Sequence, residues 1–248
     1  MNPELKPLFE AATRPYAGAG RHALYFARGK LRYDPVFFAL LRRGLISDQG
    51  RLLDLGCGRG VLLTLLEAAK QQFSAAQWPQ GWPAPPSQLA LHGIELRGDR
   101  VLAARLVLGQ AATVELHDIA RAEFPACTTV ILLDVLFYLP ESTQRQVLKR
   151  VAAALQPGGV LLLREADAGA GRAFRMTRWA ERVACAVRGQ PRQKLYYRSA
   201  GQWKALLEEL GFAVSAEPMS EGTPFANVLF VARHRVPATD NSGTWNDG

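Results

Sequence analysis

The fold of this chain is decided by one segment, Leu52-Leu53-Asp54-Leu55-Gly56-Cys57-Gly58-Arg59-Gly60. Its apolar residues predict a buried strand, and its three alternate glycines predict a tight turn that opens the following helix. Such a turn keeps side chains away from a ligand, exposes backbone N–H groups and points a helix N-terminus at it. The segment therefore predicts a strand, a ligand-binding turn and a helix, in that order.

Apolar runs elsewhere in the chain continue this alternation of strands and helices, which is typical of a parallel sheet covered by helices on both faces. Strands are predicted at residues 51–55, 89–95, 113–116, 130–134, 160–165, 212–215 and 226–233. Helices are predicted at residues 36–43, 60–71, 97–108, 141–155, 170–188 and 199–210. The helix at residues 141–155 is expected to stop at Gln156-Pro157-Gly158-Gly159, because proline cannot continue it and glycine permits the turn.

The bulk composition limits the classes of protein to consider. The chain has 248 residues, 48% of them apolar, which is enough for one large domain. With no run of about 18 apolar residues and no signal-peptide pattern, we expect a cytoplasmic protein without a transmembrane segment. The three scattered cysteines predict neither a disulfide framework nor a metal site. The net charge of +8 favours anionic partners, although an arginine-rich surface explains it equally well.

The glycine turn resembles the first motif of the class I methyltransferase family, acidic-x-Gly-x-Gly-x-Gly. Asp54, Gly56, Gly58 and Gly60 match it. The resemblance implies that Asp54 and the turn backbone, including Cys57, surround the methionine part of S-adenosyl-L-methionine. A dinucleotide fingerprint needs Gly-x-Gly-x-x-Gly, and the third glycine comes one residue too early for it. The spacing therefore argues against a dehydrogenase.

Two further cofactor contacts are expected where the next two strands end. Glu95, followed by Leu96, can accept hydrogen bonds from both ribose hydroxyls. The proline- and tryptophan-rich loop at residues 77–88 lengthens the usual spacing to this acid, and long loops cost little closure entropy. Asp118 and Ile119 resemble the adenine-binding pair of the family. The alternatives are that Glu95 is a solvated strand-end acid and that Asp118 only caps a turn.

The strand at residues 130–134 is similar to the fourth family motif, which implies that Asp134 and Val135 lie beside the methyl group. The Asn-Pro-Pro-Tyr and Asp-Pro-Pro-Tyr motifs of amine methylases are absent, which disfavours a nucleic-acid substrate. Because the sulfonium is already an excellent leaving group, positioning contributes most of the rate. Tyr138 is the best-placed candidate for a base or orienting group, and His22 is a second one; both side chains could instead simply pack.

Family membership implies a doubly wound α/β fold with a mostly parallel seven-stranded sheet whose last strand is antiparallel. We expect one methyltransferase domain at residues 1–236. Its parts are an N-terminal helical lid at 1–49, a cofactor-binding core at 50–165, and a substrate-side region at 166–236 that begins with a basic helical insertion after strand five. Residues 237–248 are predicted to be a disordered tail.

The segment Phe26-Ala27-Arg28-Gly29-Lys30-Leu31 resembles methyltransferases of bacterial aryl-polyene pigment pathways, whose acyl intermediates ride on a carrier protein. Arginines at near-helical spacing form a basic face that suits an acidic acyl carrier protein or an anionic surface: Arg172, Arg175, Arg178 and Arg182. The alternative is a solvated cationic face over an apolar stripe.

These observations favour methyl transfer to a small aromatic or carrier-bound acyl molecule, on oxygen or carbon. One alternative is an RNA or other nucleic-acid methyltransferase, which the charge of +8 would suit. A second alternative is a non-catalytic scaffold that binds the cofactor. The substrate pocket of such a fold is built from variable additions, so the sequence motifs identify the donor and leave the acceptor open.

Overall fold

The computed structural model describes residues 3–234. Its helices are α1 Lys6–Thr13, α2 Arg21–Tyr33, α3 Val36–Arg42, α4 Val61–Ser74, α5 Gly98–Leu108, α6 Glu141–Ala154, α7 Gly171–Val187 and α8 Ala200–Glu209. Its strands are β1 Gln49–Leu55, β2 Gln88–Glu95, β3 Ala112–Leu116, β4 Cys127–Leu133, β5 Leu155–Ala166, β6 Phe212–Pro218 and β7 Asn227–His234. The tail predicted at residues 237–248 lies outside the described residues.

The strands form one seven-stranded sheet in the order β3-β2-β1-β4-β5-β7-β6. The pairs among the first five strands are parallel, whereas β7 runs antiparallel to both β5 and β6. This topology confirms the predicted doubly wound sheet with an antiparallel last strand. It also places the carboxyl ends of β1, β2 and β4 at one edge, where open α/β sheets bind ligands.

The sheet is buried on both faces because alternate strand residues enter two different cores. Leu52 packs with apolar residues of α1, α3, α4 and α5, whereas Leu53 packs with those of α6 and α8. Both leucines are fully buried, as are most residues of β4 and β5. The apolar runs of the sequence are therefore nearly continuous because these central parallel strands are covered on both faces.

The chain between α6 and β5 differs from the sequence prediction. Helix α6 ends at Ala154, and β5 begins at once with Leu155, which pairs with Cys127 of β4. Gln156-Pro157-Gly158-Gly159 therefore lies inside the range of β5 instead of before it. The pairing with β4 is irregular between Cys127 and Thr129, and Gly158 has a φ of +77°. The proline and glycines thus form an irregular stretch within the range of β5.

The proline- and tryptophan-rich loop connects the end of α4 with the start of β2. Trp78 packs edge-on against Phe73 and Trp82, with ring centroids 6.3 and 5.7 Å away. The Nε1 of Trp78 donates a hydrogen bond to the carbonyl of Pro83 at 2.9 Å. Because β1 and β2 are parallel, this loop lies at the sheet edge opposite the glycine turn. The extra residues therefore leave the strand ends in register.

The N-terminal helices pack on the glycine-turn side of the sheet. Tyr16, which is fully buried, donates its hydroxyl to the carbonyl of Arg59 at 2.8 Å and lies 3.2 Å from the Thr64 hydroxyl. Burial raises the pKa of Tyr16 well above its usual value. Within residues 3–234, no helix has the length and apolar character needed to cross a membrane.

Candidate active site

The glycine turn has the left-handed backbone that glycine adopts most readily. The φ angles are +81° at Gly56, +58° at Gly58 and +76° at Gly60. A Cβ on Gly56 would lie 2.5 Å from Cγ2 of Val135, a residue just past the end of β4. A Cβ on Gly58 would meet no atom within 4 Å. The turn is thus packed tightly against β4 at Gly56 and open at Gly58.

Backbone hydrogen bonds fasten this turn to the end of β2. The N–H groups of Gly56 and Cys57 both donate to the carbonyl of Ile94, at 2.8 and 3.1 Å. One residue later, the N–H of Gly58 donates to Oε2 of Glu95 at 3.0 Å. The end of β2 therefore determines the shape of the turn that follows β1.

Glu95, which was predicted to bind a ribose, makes two further contacts within the chain. Its Oε1 accepts from the N–H of Arg97 at 2.9 Å, and Nη1 of Arg100 lies 3.5 Å from Oε2. Each carboxylate oxygen can accept two hydrogen bonds, so the side chain keeps room for ribose hydroxyls. Glu95 is buried and bonds both the turn and Arg97, so it is not an ordinary solvated acid.

Asp54, the acid of the first motif, is buried at the end of β1. Among residues 3–234 no group donates a hydrogen bond to its carboxyl. Burial, and then the charge of Glu95, raise its pKa from 3.8 to about 7. A buried carboxyl without a donor is costly, and a bound cation would satisfy it. The ammonium group of S-adenosylmethionine is such a cation, so Asp54 and the open turn at Gly58 fit the cofactor.

The expected adenine-binding residues lie next to Glu95. The N–H of His117 donates to the carbonyl of Glu95 at 3.0 Å, which brings the end of β3 beside the end of β2. Oδ1 of Asp118 accepts from the N–H of Ala120 at 2.8 Å, so this side chain does cap a turn. Ile119 is buried and Leu96 is largely exposed. The structure thus brings these residues to one edge, and their adenine contacts stay predictions.

A cavity of about 430 Å³ lies next to the glycine turn, and the residues just past the end of β4 separate the two. Residues of α2, α7, the 3-10 turn after β4 and the segment before β7 line it. Five of its lining residues are aromatic: Tyr25, Phe26, Tyr33, Phe137 and Phe225. Asp134 also lines the cavity, and its neighbour Val135 touches the glycine turn. The cavity and the turn therefore meet at this pair.

A buried arginine connects two carboxylates at the cavity wall. The side chain of Arg164 is 1% exposed; its Nε donates to Oδ1 of Asp134 at 3.0 Å, and its Nη2 donates to Oδ2 of Asp34 at 2.8 Å. Burial alone would raise the pKa of Asp34, but Arg164, with help from Lys30, holds it well below its usual range. Asp134 has a φ of +59°, which strains a residue with a Cβ. These contacts hold Asp134 in that conformation.

Glu165 lies behind Asp134 and is also buried. Its Oε1 accepts from the N–H groups of Val135 and Leu136, at 3.2 and 2.7 Å. Its Oε2 is buried without a partner among residues 3–234. Burial, and then the charge of Asp134, raise the pKa of Glu165 well above its ordinary value. Glu165 therefore acts on the site by holding the chain that carries Val135 against the turn.

The two catalytic candidates have different surroundings. The hydroxyl of Tyr138 donates to Oε2 of Glu181 and accepts from Nη2 of Arg188, both at 2.9 Å. Burial, and then Glu181, raise the pKa of Tyr138 well above its usual value, which disfavours tyrosinate as a base. His22 is exposed on α2 and is not among the residues that line the cavity. The catalytic roles expected of both residues stay predictions.

Sequence reasoning missed three carboxylate and guanidinium side chains that line the cavity. They are Asp34, Arg164 and Glu181. Arg164 carried a usable signal, because it follows Val160-Leu161-Leu162-Leu163 in a buried strand, where a charge must be paired. Asp34 and Glu181 carried none, since acids in a loop and on a helix are common at surfaces. Within residues 3–234 no group of three or more potential metal ligands is present.

Comparison with known proteins identifies the family of this chain. A family model described as "Methyltransferase domain" matches residues 26–217. The carboxy-S-adenosyl-L-methionine synthase of Chromohalobacter salexigens is 30% identical over 132 residues, which cover 49% of this chain and 44% of that relative. The chain therefore matches less than half the length of that relative.

Solved structures share the fold at low sequence identity. An O-methyltransferase family protein from Burkholderia thailandensis superposes with a TM-score of 0.63 at 18% identity, over 85% of this chain and 57% of that one. Magnesium protoporphyrin IX methyltransferase from Synechocystis, solved with bound SAH, has a TM-score of 0.56 at 19% identity, over 91% of this chain and 94% of that one. The chain belongs to the methyltransferase domain family, and it shares the fold of solved S-adenosylmethionine-dependent methyltransferases.

Proposed function

We propose that this chain transfers a methyl group to the oxygen or carbon of a small molecule with an aromatic or acyl body. The observation that carries the proposal is the 430 Å³ cavity, which has aromatic walls and reaches the β4 end at Asp134. A volume of this order is typical of sites that enclose small molecules. Aromatic and aliphatic acceptor bodies would both be stabilised by burial against these rings.

The residues on the turn side would hold the cofactor. Asp54 would accept from the ammonium group, Glu95 from the ribose hydroxyls and Asp118 from the adenine amine, while Gly58 leaves room for the methionine part. Asp134 and Val135 would border the transferable methyl group. The cofactor supplies an electrophilic methyl group on a sulfonium. The neutral thioether that leaves needs no acid to protonate it. The chain then has to bind and orient the acceptor, which is how positioning contributes to rate.

In the cavity proposed for the acceptor, the carboxylates of Asp134 and Glu181 could meet a hydroxyl group of the acceptor. Asp134 is held by Arg164, and Glu181 is held by Tyr138 and Arg188. A fixed carboxylate can accept a hydrogen bond from a phenol and orient its oxygen for in-line attack. We infer that orientation by these groups, with desolvation by the rings, is the contribution of the chain to the reaction.

The test uses the full chain with S-adenosylmethionine that carries a deuterated methyl group. Phenols, hydroxylated aromatic acids, acyl thioesters and mixed RNA are offered as acceptors, and mass spectrometry detects the label. We expect label in the small aromatic or acyl compounds and none in RNA. Label in RNA alone would support the nucleic-acid alternative, and failure to bind the cofactor in calorimetry would contradict the enzyme assignment.

A matched pair of variants tests the cavity itself. Ala180 of α7 lines the cavity, whereas Ala153 of α6 is exposed on the opposite side of the sheet. Ala180→Phe fills part of the cavity, so we expect transfer to fall by at least about tenfold while cofactor affinity stays unchanged. Ala153→Phe makes the same substitution on an exposed surface and leaves transfer at the parent level. Equal activity in the two variants would show that the acceptor binds elsewhere.

A further inference from the structure

Two helices flank the cavity, and both carry many basic residues. On α2 they are Arg21, Arg28, Lys30 and Arg32, with no acidic residue. On α7 they are Arg172, Arg175, Arg178 and Arg182. The one acidic residue of α7, Glu181, lines the cavity and is hydrogen-bonded to Tyr138. The outer faces of the two helices are therefore strongly cationic.

Most of these cations have no counter-charge. Arg28 pairs with Glu10 at 2.9 Å, and Lys30 pairs with Asp34 at 3.2 Å. Within the chain from residue 3 to residue 234, the remaining six make no ion pair: Arg21, Arg32, Arg172, Arg175, Arg178 and Arg182. A partner that brings negative charge to this face would meet unpaired guanidinium groups, which bind phosphate oxygens bidentately.

The outer face of α7 also exposes apolar side chains. Met176, Trp179, Val183 and Val187 recur three or four positions apart and so form one row along the helix. Trp179 is 65% exposed and Val187 is 82% exposed. The basic side chains of Arg175, Arg178 and Arg182 form the adjacent row by the same spacing. An exposed apolar row of this kind marks an interaction surface.

Helix α2 exposes aromatic rings beside the same cavity. Tyr25 and Tyr33 are 63% and 70% exposed, and both line the cavity. Rings that carry a polar group, such as tyrosine and tryptophan, favour the boundary between water and lipid. Arginine suits that boundary as well, because its aliphatic stem enters the apolar layer while its head reaches phosphates. Both helices therefore have the composition of segments that lie on a membrane surface.

We propose that the outer faces of α2 and α7 dock on an anionic lipid surface, and that the acceptor is an amphiphilic molecule taken from it. The source and polarity of the acceptor are thus added to the proposed function, on which they rest. Both docking helices line the cavity, so an acceptor dissolved in the lipid would lie next to it. An acidic protein would match the arginines but gives no reason for the exposed tyrosines of α2 and the exposed tryptophan of α7.

The experiment measures sedimentation of the full chain with lipid vesicles. Vesicles of phosphatidylglycerol and phosphatidylcholine in equal parts are compared with vesicles of phosphatidylcholine alone, at low and at high salt. We expect binding to the anionic vesicles, at least about tenfold weaker binding to the neutral ones, and a further loss in high salt because salt screens exposed charges. Equal binding to both vesicle types, or no binding, would overturn the proposal.

Variants show whether this face is responsible. The triple variant Arg175→Ala/Arg178→Ala/Arg182→Ala should lose at least about tenfold in anionic vesicle binding, and Trp179→Ala should lose several-fold. The matched control, Lys6→Ala/Lys70→Ala/Lys149→Ala, removes the same charge from exposed sites elsewhere and should bind like the parent. Equal loss in the two triple variants would contradict a specific surface. Vesicle binding needs no methyl transfer, so its failure is distinguishable from a failure of the proposed activity.

Discussion

The site has two halves, the glycine turn proposed to hold the cofactor and the cavity proposed to hold the acceptor, and they are built by different means. On the cofactor side, the glycine turn of β1 is fastened to the end of β2 by backbone hydrogen bonds and by Glu95. On the acceptor side, Arg164 joins Asp34 and Asp134, which lie 130 and 30 residues away from it in sequence. The first half depends on residue types that a local backbone geometry requires. The second half depends on side chains that only the complete fold brings together.

The largest effect that separates the two halves is expected from Arg164→Met. This change removes the buried guanidinium that Asp34 and Asp134 share and leaves only Lys30 beside Asp34. Breaking a buried ion pair in this way costs about 3–5 kcal/mol of unfolding free energy. Urea unfolding measures the loss. The triple variant Arg164→Met/Asp34→Asn/Asp134→Asn should recover most of it.

Arg145→Met is the matched control for this substitution. Arg145 pairs with Glu209 at 2.6 Å on the surface, where ion pairs contribute little because water and salt screen them. We expect its unfolding curve to follow that of the parent. If Arg164→Met were as mild as Arg145→Met, the acceptor side would not depend on a buried charge cluster.

An intermediate effect is expected from alanine in the glycine turn. Gly56→Ala places a methyl group against Val135 and strains a left-handed backbone, which together cost about 2–4 kcal/mol of unfolding free energy. Gly58→Ala meets open space and pays only the backbone strain, about 1–2 kcal/mol. Adding Val135→Ala to Gly56→Ala should restore part of the loss. Equal costs at the two glycines would mean that the turn is not packed against β4.

The smallest effect is a pH dependence of cofactor binding through Asp54. Its pKa is raised to about 7, and the ammonium group that we propose to bind there would need the ionised carboxylate. Calorimetry should therefore show affinity falling about tenfold per pH unit below 7, as protons compete for the carboxylate. Asp54→Asn should bind weakly at every pH, without this slope. A parent affinity that is flat between about pH 5 and pH 7 would contradict the role of Asp54.

The same pKa predicts how the protein alone responds to pH. An acid whose pKa is higher in the folded state than its ordinary 3.8 binds its proton more tightly there. The contribution of Asp54 to the stability of the cofactor-free protein therefore falls as the pH rises from about 4 to about 7, and Asp54→Asn removes that contribution. A substitution that weakens cofactor binding while it stabilises the fold is typical of a binding site, and unfolding at pH 8 measures it.

The contrast between the halves also explains what the sequence could predict. The order of strands and helices follows from apolar periodicity. The glycine turn, Glu95 and Asp118 lie at or just after the ends of predicted strands, so their shared edge was predictable. The pairing of Asp34 with Arg164 depends on where α2 and α3 fold, which no local pattern determines. Tyr138 packs against Phe137 of the cavity wall, and its bonds to Glu181 and Arg188 arise from the packing of α7, which no local pattern predicts.

The loop between α4 and β2 bears on how related chains are found. Residues 77–88 add length between the glycine turn and Glu95, yet Leu55 still pairs with Ile94, so Glu95 reaches the turn. A sequence search that fixes the distance between the glycines and the ribose acid would pass over this chain. A search that instead aligns the two strand ends and leaves the connection free would retrieve it, together with any relative that carries a different connection at the same edge.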